Sequence, residues 1–229
     1  MSERRFLTGL ILAAGMSKRL GQPKQLLPYR GMTLLGWALA QAEASQALDE
    51  VLLVLGHARE NILSRVTLGR AQPVTNVEFS EGCAASYRAG LAAADPRAQG
   101  VMILLSDQPG VDVEAIEQVA STWRAAPLAV ETAPMGLRPP SPSSGTPPTT
   151  SGQASPSTSG PLILIASYQG KVGHPLLFDR QLFPRLAALN GDKAAWKLVD
   201  QHPEWVRTVE MNRPLPRDVD TLADYQQLS

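Results

Sequence analysis

Short strand-like segments alternate with helix-like segments along this chain, and this alternation restricts its fold more than any other feature. The predicted strands are Phe6–Leu12, Val51–Leu55, Val74–Phe79 and Val101–Leu105. Val51–Leu55 is apolar throughout, as expected of a strand that is covered on both faces. The pattern is typical of a mostly parallel sheet with crossover helices. We therefore predict an α/β fold, a single-domain, three-layer sandwich around a Rossmann-like sheet.

The predicted helices between these strands cover residues 33–45, 58–66, 84–94 and 112–123. Thr33 and Asp112 have side chains suited to cap the first and the last of them. Because each helix must return across the sheet, the loops after the first, third and fourth strands share its carboxyl edge. We expect the residues that carry chemistry at that edge.

One segment interrupts the alternation. The 229 residues, 44% of them hydrophobic, suit a single globular domain over residues 1–229. Residues 134–161, however, contain 8 Pro, 7 Ser, 4 Gly and 4 Thr, too little apolar surface to offset the entropy of ordering them. We predict a disordered surface insertion there, with a boundary between two domains as the alternative. Leu128–Val130 and Leu162–Ile165 compete for the neighbouring strand position.

Charge and composition exclude several functions. The 21 basic and 21 acidic residues leave no net charge, and no run of Lys and Arg is long enough to follow a nucleic-acid backbone. No apolar run reaches the roughly 18 residues that a membrane span needs. The N-terminus is predicted to be a strand rather than a signal peptide. The single cysteine, Cys83, excludes an internal disulfide and fits a cytoplasmic location.

The loop after the first strand has the features of a triphosphate site. Ala13, Ala14 and Gly15 leave backbone N–H groups accessible to a phosphate, and Arg19 and Lys24 supply positive charge. The spacing differs from that of the P-loop and from Gly-x-Gly-x-x-Gly. The loop therefore predicts a phosphate site of another kind.

Asp107 follows the fourth predicted strand, at the same edge of the sheet as this loop. A bound triphosphate needs a divalent cation, and carboxylate oxygens bind Mg²⁺ while leaving positions for phosphate and water. The alternative is that Asp107 only begins a turn before Pro109. Because the phosphate loop lies at the same edge, we favour the metal role.

Residues 12–24, Leu-Ala-Ala-Gly-Met-Ser-Lys-Arg-Leu-Gly-Gln-Pro-Lys, resemble the L-A-A-G-x-S-x-R-x-G-x-x-K signature of nucleotidyltransferases, most closely the molybdenum cofactor cytidylyltransferase family. The resemblance implies a nucleotidyltransferase fold and transfer of CMP from CTP to the phosphate of the molybdopterin cofactor, with release of pyrophosphate. Arg19 and Lys24 would be catalytic, because they would stabilise the departing pyrophosphate. Nucleotide binding is implied for Leu12, Ala13, Ala14 and Gly15.

The resemblance extends to the metal site. The segment that contains Asp107 matches the family's G-D-Q/M-P motif, whose Asp holds Mg²⁺, although Ser replaces the Gly here. The segment from Asp218 to Thr221 resembles the family's D-I-D-T-P-E-D element. Asp107 and Asp220 are thereby implied as metal ligands, with Asp218 in reserve. Capping of a following helix by Asp220 or Thr221 is the alternative.

Two further segments resemble elements of the same family. The one that opens the third predicted helix is similar to G-M-S-S-S-L-R-A-G and implies nucleotide binding by Gly82 and Ser86, although two of the family's serines are alanines here. The one after the insertion is similar to Y-x-G-x-x-G-H-P-x-x-F and implies acceptor binding by Lys171 and His174. Asp192 is a third implied acceptor residue, in an element similar to G-D-x-G-A-R that carries Trp in place of Arg.

Three alternatives stay open. The acceptor could be a methylerythritol phosphate or a sugar phosphate, or the nucleotide could be GTP, although GTP-using relatives resemble Leu-Ala-Gly-Gly at the loop. An oxidoreductase would need a glycine fingerprint and an acidic residue after the second strand, where Gly56 and His57 stand. A non-catalytic nucleotide-binding module is the third. The resemblance implies CTP and a phosphorylated pterin as partners, and leaves open an enzyme that delivers or accepts the cofactor.

Overall fold

The computed structural model describes residues 4–127 and 160–228. The predicted insertion at residues 134–161 lies outside this range except for its last two residues, and so does Leu128–Val130. Residues 163–168 form a strand, and the last three residues of Leu162–Ile165, one of the two candidates for this position, make up its first half.

Seven of the described strands form one mostly parallel sheet, as predicted. In chain order the strands are β1 (Leu7–Ala13), β2 (Pro28–Tyr29), β3 (Met32–Thr33), β4 (Glu50–Leu55), β5 (Gln72–Thr75), β6 (Gly100–Leu105), β7 (Ile163–Tyr168), β8 (Lys171–Asp179) and β9 (Val206–Met211). Their order in the main sheet is β5-β4-β1-β6-β8-β7-β9, while β2 and β3 form a separate two-stranded hairpin. Within the described part of that sheet, β8 alone runs antiparallel to its neighbours.

Helices cover both faces of the sheet. They are α1 (Leu34–Ala44), α2 (Arg59–Leu63), α3 (Cys83–Ala93), α4 (Val113–Ala125), α5 (Phe183–Ala187), α6 (Ala194–Gln201) and α7 (Leu222–Gln226). The two predicted caps are confirmed, because the Thr33 side chain accepts from the N–H of Gly36 at 2.9 Å and Asp112 accepts from that of Ala115 at 3.0 Å. No helix in the described ranges is long and apolar enough to cross a membrane.

The alternation of side chains along β1 divides the core into two layers. Leu7 and Ile11 pack with buried residues of α1 and α4 on one face. Leu10 packs on the other face with residues of α3, α5 and α6. The predicted three-layer sandwich is therefore present, and its two apolar layers hold the central strands rigidly at the edge where β1 and β6 end.

The third strand differs from its prediction. It was expected over Val74–Phe79, but β5 ends at Thr75, and Phe79–Glu81 forms a turn of 3₁₀ helix. The side chain of Asn76 accepts a hydrogen bond from the N–H of Glu78 at 3.0 Å. Such a local bond to the backbone competes with a strand ladder, so the chain turns early and brings α3 toward the end of β1.

Candidate active site

The loop after β1 is held by a side chain that the sequence did not single out. Gln25 is buried, and its Nε2 donates to the carbonyl of Ala13 at 3.0 Å and to that of Gly15 at 3.3 Å. These bonds engage two carbonyl dipoles that would otherwise repel a phosphate. The N–H of Lys24 donates to the hydroxyl of Ser17 at 3.0 Å, which closes the loop. The small-residue loop therefore has a fixed backbone.

Lys24 lies between two carboxylates that come from distant parts of the chain. Its Nζ donates to Asp107 and, at 2.8 Å, to Oδ1 of Asp220. Burial opposes the charge of Lys24, but these two carboxylates outweigh it and raise the pKa of the ammonium. The hydrogen bond from Lys24 lowers the pKa of Asp220. Arg19 reaches Oδ2 of Asp220 only at 3.5 Å, with 70% of its side chain exposed.

The donor set fits a cation that is bound together with a nucleotide. Asp107 and Asp220 already converge on one positive charge, the ammonium of Lys24. Within residues 4–127 and 160–228, no three His, Cys, Asp or Glu side chains form a group that could hold a metal ion. Mg²⁺ commonly uses one or two protein carboxylates and completes its six ligands with phosphate oxygens and water. Two carboxylates beside a phosphate loop suit that arrangement.

Asp220 reaches this position on the segment between β9 and α7, residues 212–220, which we call the strap. The sequence left capping of a following helix by Asp220 or Thr221 as the alternative, and the residue that caps this helix is Thr221. Thr221 caps α7 in a reciprocal arrangement with Asp224. Asp218 accepts from Gln108 instead, and its pKa is raised, chiefly by lost hydration and further by the nearby carboxylates.

A cleft of about 470 Å³ opens between the β1 loop, the N-terminus of α3 and Asp107. Most of the predicted site residues lie along it, including the catalytic candidate Lys24 and the acceptor candidate Asp192: Leu12, Ala13, Ala14, Gly15, Lys24, Gly82, Ser86, Asp107 and Asp192. Arg19, Asp220, Lys171 and His174 are not among its lining residues. The fold therefore gathers the loop, Lys24 and Asp107 at one cavity, with Asp220 bonded to Lys24 beside it.

The wall formed by α3 depends on Gly82 and Asp192. Gly82 has φ of +96°, and a Cβ built there would lie 2.8 Å from Oδ1 of Asp192. That same oxygen accepts from the N–H of Cys83 at 3.3 Å, so Asp192 caps α3. Ser86 accepts from Asn76 at 3.1 Å and keeps its own hydroxyl proton for donation. Asp192, predicted to contact the acceptor, thus lies beside Gly82, which was predicted to bind the nucleotide.

The other two predicted acceptor residues lie elsewhere. Lys171 is exposed where β8 begins, after the turn from β7. His174 is 7% exposed, and its ring lies edge-on to that of Trp196 with centroids 6.0 Å apart. Burial lowers the pKa of His174 to about 4. At neutral pH it therefore offers an anion a neutral ring rather than a positive charge, and acceptor binding by both residues stays a prediction.

The chain is similar over nearly its whole length to one curated protein and to solved structures. Nicotine blue oxidoreductase of Paenarthrobacter nicotinovorans is 32% identical over 225 residues, which cover 97% of this chain and 96% of that protein. The crystal structure of Rv0371c from Mycobacterium tuberculosis H37Rv is 35% identical, with a TM-score of 0.77 and coverage of 99% of this chain and 98% of that one.

A structure of Rv0371c in complex with manganese is 32% identical, with a TM-score of 0.73 over 99% of this chain and 98% of that one. A nucleotidyl transferase from Methanothermobacter, 18% identical with a TM-score of 0.70, shares the fold over 97% of this chain and 95% of its own. The sequence profile of the MobA-like NTP transferase domain matches residues 9–206. Because this match covers most of the chain, including the β1 loop and Asp107, the chain belongs to the MobA-like NTP transferase domain family.

Proposed function

We propose that this family member transfers CMP from CTP to the phosphate of a molybdopterin-type cofactor and releases pyrophosphate, in a reaction that depends on Mg²⁺. The observation that carries the proposal is the placement of Lys24 between Asp107 and Asp220 at the mouth of the small-residue loop. This arrangement supplies charge of both signs where a triphosphate would lie. We further propose a cytoplasmic location, where Cys83 would stay reduced.

In the proposed reaction an acceptor phosphate oxygen attacks the α-phosphorus, and the bond to the oxygen that bridges the α- and β-phosphates breaks. When bound, Mg²⁺ would neutralise part of the negative charge of the phosphates. Lys24 leaves its carboxylates and donates to the phosphates, and Arg19 adds a second cation. The backbone of Ala13–Gly15, fixed by Gln25, orients the leaving pyrophosphate. No protein nucleophile is needed, because the acceptor itself attacks.

The choice of CTP rests on the loop sequence Leu-Ala-Ala-Gly. The methyl group of Ala14 lies against Gly56, where an added Cβ would come within 3.0 Å of it. Ala14 is largely buried and lines the cleft, so its methyl group restricts both the loop and the space beside it. One methyl group is worth only about 1–3 kcal/mol of discrimination. Ser86, on the opposite wall of the cleft, is the further residue that we propose to contact the nucleotide.

The test is a screen for pyrophosphate release. Each of the four nucleoside triphosphates is combined with Mg²⁺ and with candidate acceptors: molybdopterin cofactor, methylerythritol phosphate and sugar phosphates. We expect release with CTP and the pterin cofactor alone. A preference for GTP would refute the cytidylyl assignment and leave nucleotidyl transfer standing. Binding of CTP with no release from any acceptor would indicate a non-catalytic module.

The similarity to a protein called an oxidoreductase supports the rival hypothesis that this chain is an oxidoreductase, and this hypothesis requires a separate assay. Oxidation of NADH and NADPH is followed at 340 nm with a planar aromatic dye as acceptor. If NADH or NADPH is oxidised and no pyrophosphate is released in the screen, the transferase proposal is refuted in favour of an oxidoreductase. We expect no turnover, because neither the glycine fingerprint nor the acidic residue of a dinucleotide site is present after β1 and β4.

A further inference from the structure

We infer that Asp218 is a positioning residue rather than a metal ligand, and that its hydrogen bond with Gln108 holds Asp220 in place against Asp107. The inference rests on the proposed metal role of Asp107 and Asp220, and it adds two residues to that site. It also chooses between the two carboxylates of the strap, which the sequence could not separate.

Two contacts join the end of the strap to the loop after β6. Nε2 of Gln108 donates to Oδ1 of Asp218, and one residue further along, the N–H of Val219 donates to the carbonyl of Asp107 at 3.0 Å. The loop residues 107 and 108 are thus paired with strap residues 218 and 219. Asp220 follows immediately, so the position of its carboxylate relative to Asp107 depends on this pairing.

The two carboxylates of the strap have different partners. Asp220 accepts from Lys24, whereas no ion pair or hydrogen bond joins Lys24 to Asp218 in the described structure. Val219 lies between them with its side chain fully buried against Leu27 and Leu34. Asp218 is therefore bonded to the neutral amide of Gln108, while Asp220 is bonded to the ammonium of Lys24.

The chemistry of the hydrogen bond from Gln108 to Asp218 suits a neighbouring metal site. Gln108 is buried, and its amide is a neutral donor. A Lys or Arg at this position would hold Asp218 as well, but its charge would repel a divalent cation bound at Asp107 and Asp220. A neutral amide holds the strap without weakening the site electrostatically.

The rest of the strap is anchored independently. Arg213 donates to Asp112, with one contact at 2.7 Å. Pro216 covers Gly110, where an added Cβ would lie 3.0 Å from its ring. Loss of the hydrogen bond between Gln108 and Asp218 therefore leaves the strap attached at its first half and at Val219, and it removes one of the restraints on the position of Asp220. We expect the defect to appear in metal binding more than in folding.

The experiment measures Mn²⁺ binding to the full chain without nucleotide, from the signal of free Mn²⁺ in electron paramagnetic resonance. Asp218→Ala and Gln108→Met should each weaken Mn²⁺ binding by about 10-fold, as expected for residues that orient a ligand. The double variant should be no weaker than either single one. Asp218→Asn should bind within about threefold of wild type, because its side-chain oxygen still accepts from Gln108.

Asp220→Asn is the matched control, since it makes the same substitution two residues away. It should weaken Mn²⁺ binding by about 10-fold or more, because it removes a charged ligand. If Asp218→Asn weakens binding as much as Asp220→Asn does, Asp218 is a ligand and the inference is overturned while the metal site stands. If Asp220→Asn has no effect, the proposed metal site fails and the inference with it. Melting temperatures of all variants separate these outcomes from unfolding.

Discussion

Replacement of Lys24 by Met should change metal binding and turnover in opposite directions. In the structure, its ammonium is hydrogen-bonded to Asp107 and Asp220, the two carboxylates proposed to bind Mg²⁺. A metal ion must compete with that ammonium for the same oxygens. Met has a similar length and no charge, so Lys24→Met frees both carboxylates while it removes a donor that the triphosphate needs.

The magnitude follows from the exposure of the three side chains. Lys24 and Asp107 are 15% and 13% exposed, and a hydrogen bond to a charged group in such surroundings contributes about 1.5–3 kcal/mol. Asp220 is 42% exposed, so its pair with Lys24 contributes about 1 kcal/mol or less after screening by solvent. We expect a metal to displace only part of these contacts, so that Mn²⁺ binds about 10- to 100-fold more tightly to the variant, at 1.4 kcal/mol per factor of ten.

The assay pairs Mn²⁺ titration without nucleotide with steady-state pyrophosphate release. Turnover of Lys24→Met should fall by about 10²- to 10³-fold, the usual loss when a pre-organised donor to the transition state is removed. Arg19→Met is the control for charge alone, because Arg19 is 70% exposed and lies 3.5 Å from Asp220. It should change Mn²⁺ affinity by no more than about threefold. Unchanged or weaker Mn²⁺ binding by Lys24→Met would refute the competition between ammonium and metal.

Three further outcomes are expected. Gly82→Ala should lower the free energy of unfolding by about 3 kcal/mol and raise KM for the nucleotide, because φ is +96° and the new Cβ meets Asp192. Gly170→Ala is the control, since Gly170 has φ of +81° but lies in open space. It should lose only about 1–2 kcal/mol and keep KM. His174 has a pKa near 4 when folded and 6.5 when unfolded, so it contributes stability that is complete above pH 6.5 and lost as the pH falls toward 4. Urea denaturation at pH 7.5 and 4.5 should show about 2–3 kcal/mol more loss for wild type than for His174→Gln, and equal losses would contradict the burial argument. Replacing residues 134–161 by a short Gly/Ser linker should leave the melting temperature and kinetic constants nearly unchanged, and lost acceptor affinity would show that the segment takes part in binding.

The sheet could be predicted from the sequence because its signals are local. Val51–Leu55 is apolar throughout and lies within β4, and Thr33 and Asp112 cap the helices that they were predicted to cap. The error at β5 has an equally local cause. Asn76 hydrogen-bonds to the backbone ahead of it, so the strand ends before Phe79 in spite of the apolar residues there.

The site was predictable only where it follows strands of the sheet. Asp107 and the β1 loop lie at one edge because β1 and β6 are parallel neighbours. Gln25 and Gln108 could not be found in this way, since a buried amide is recognised by the groups that it bonds, and those groups are distant in sequence or belong to the backbone. Asp220 was found through resemblance alone, because it lies outside the sheet.

The strap begins beyond residue 206, where the match to the family profile ends, and it contributes no strand to the sheet. Nine residues outside the matched segment therefore bring Asp220 to Lys24, beside the cleft. A substitution in those residues could change the chemistry of the site while both apolar layers stay intact. A comparison confined to the matched domain, residues 9–206, would overlook such a change.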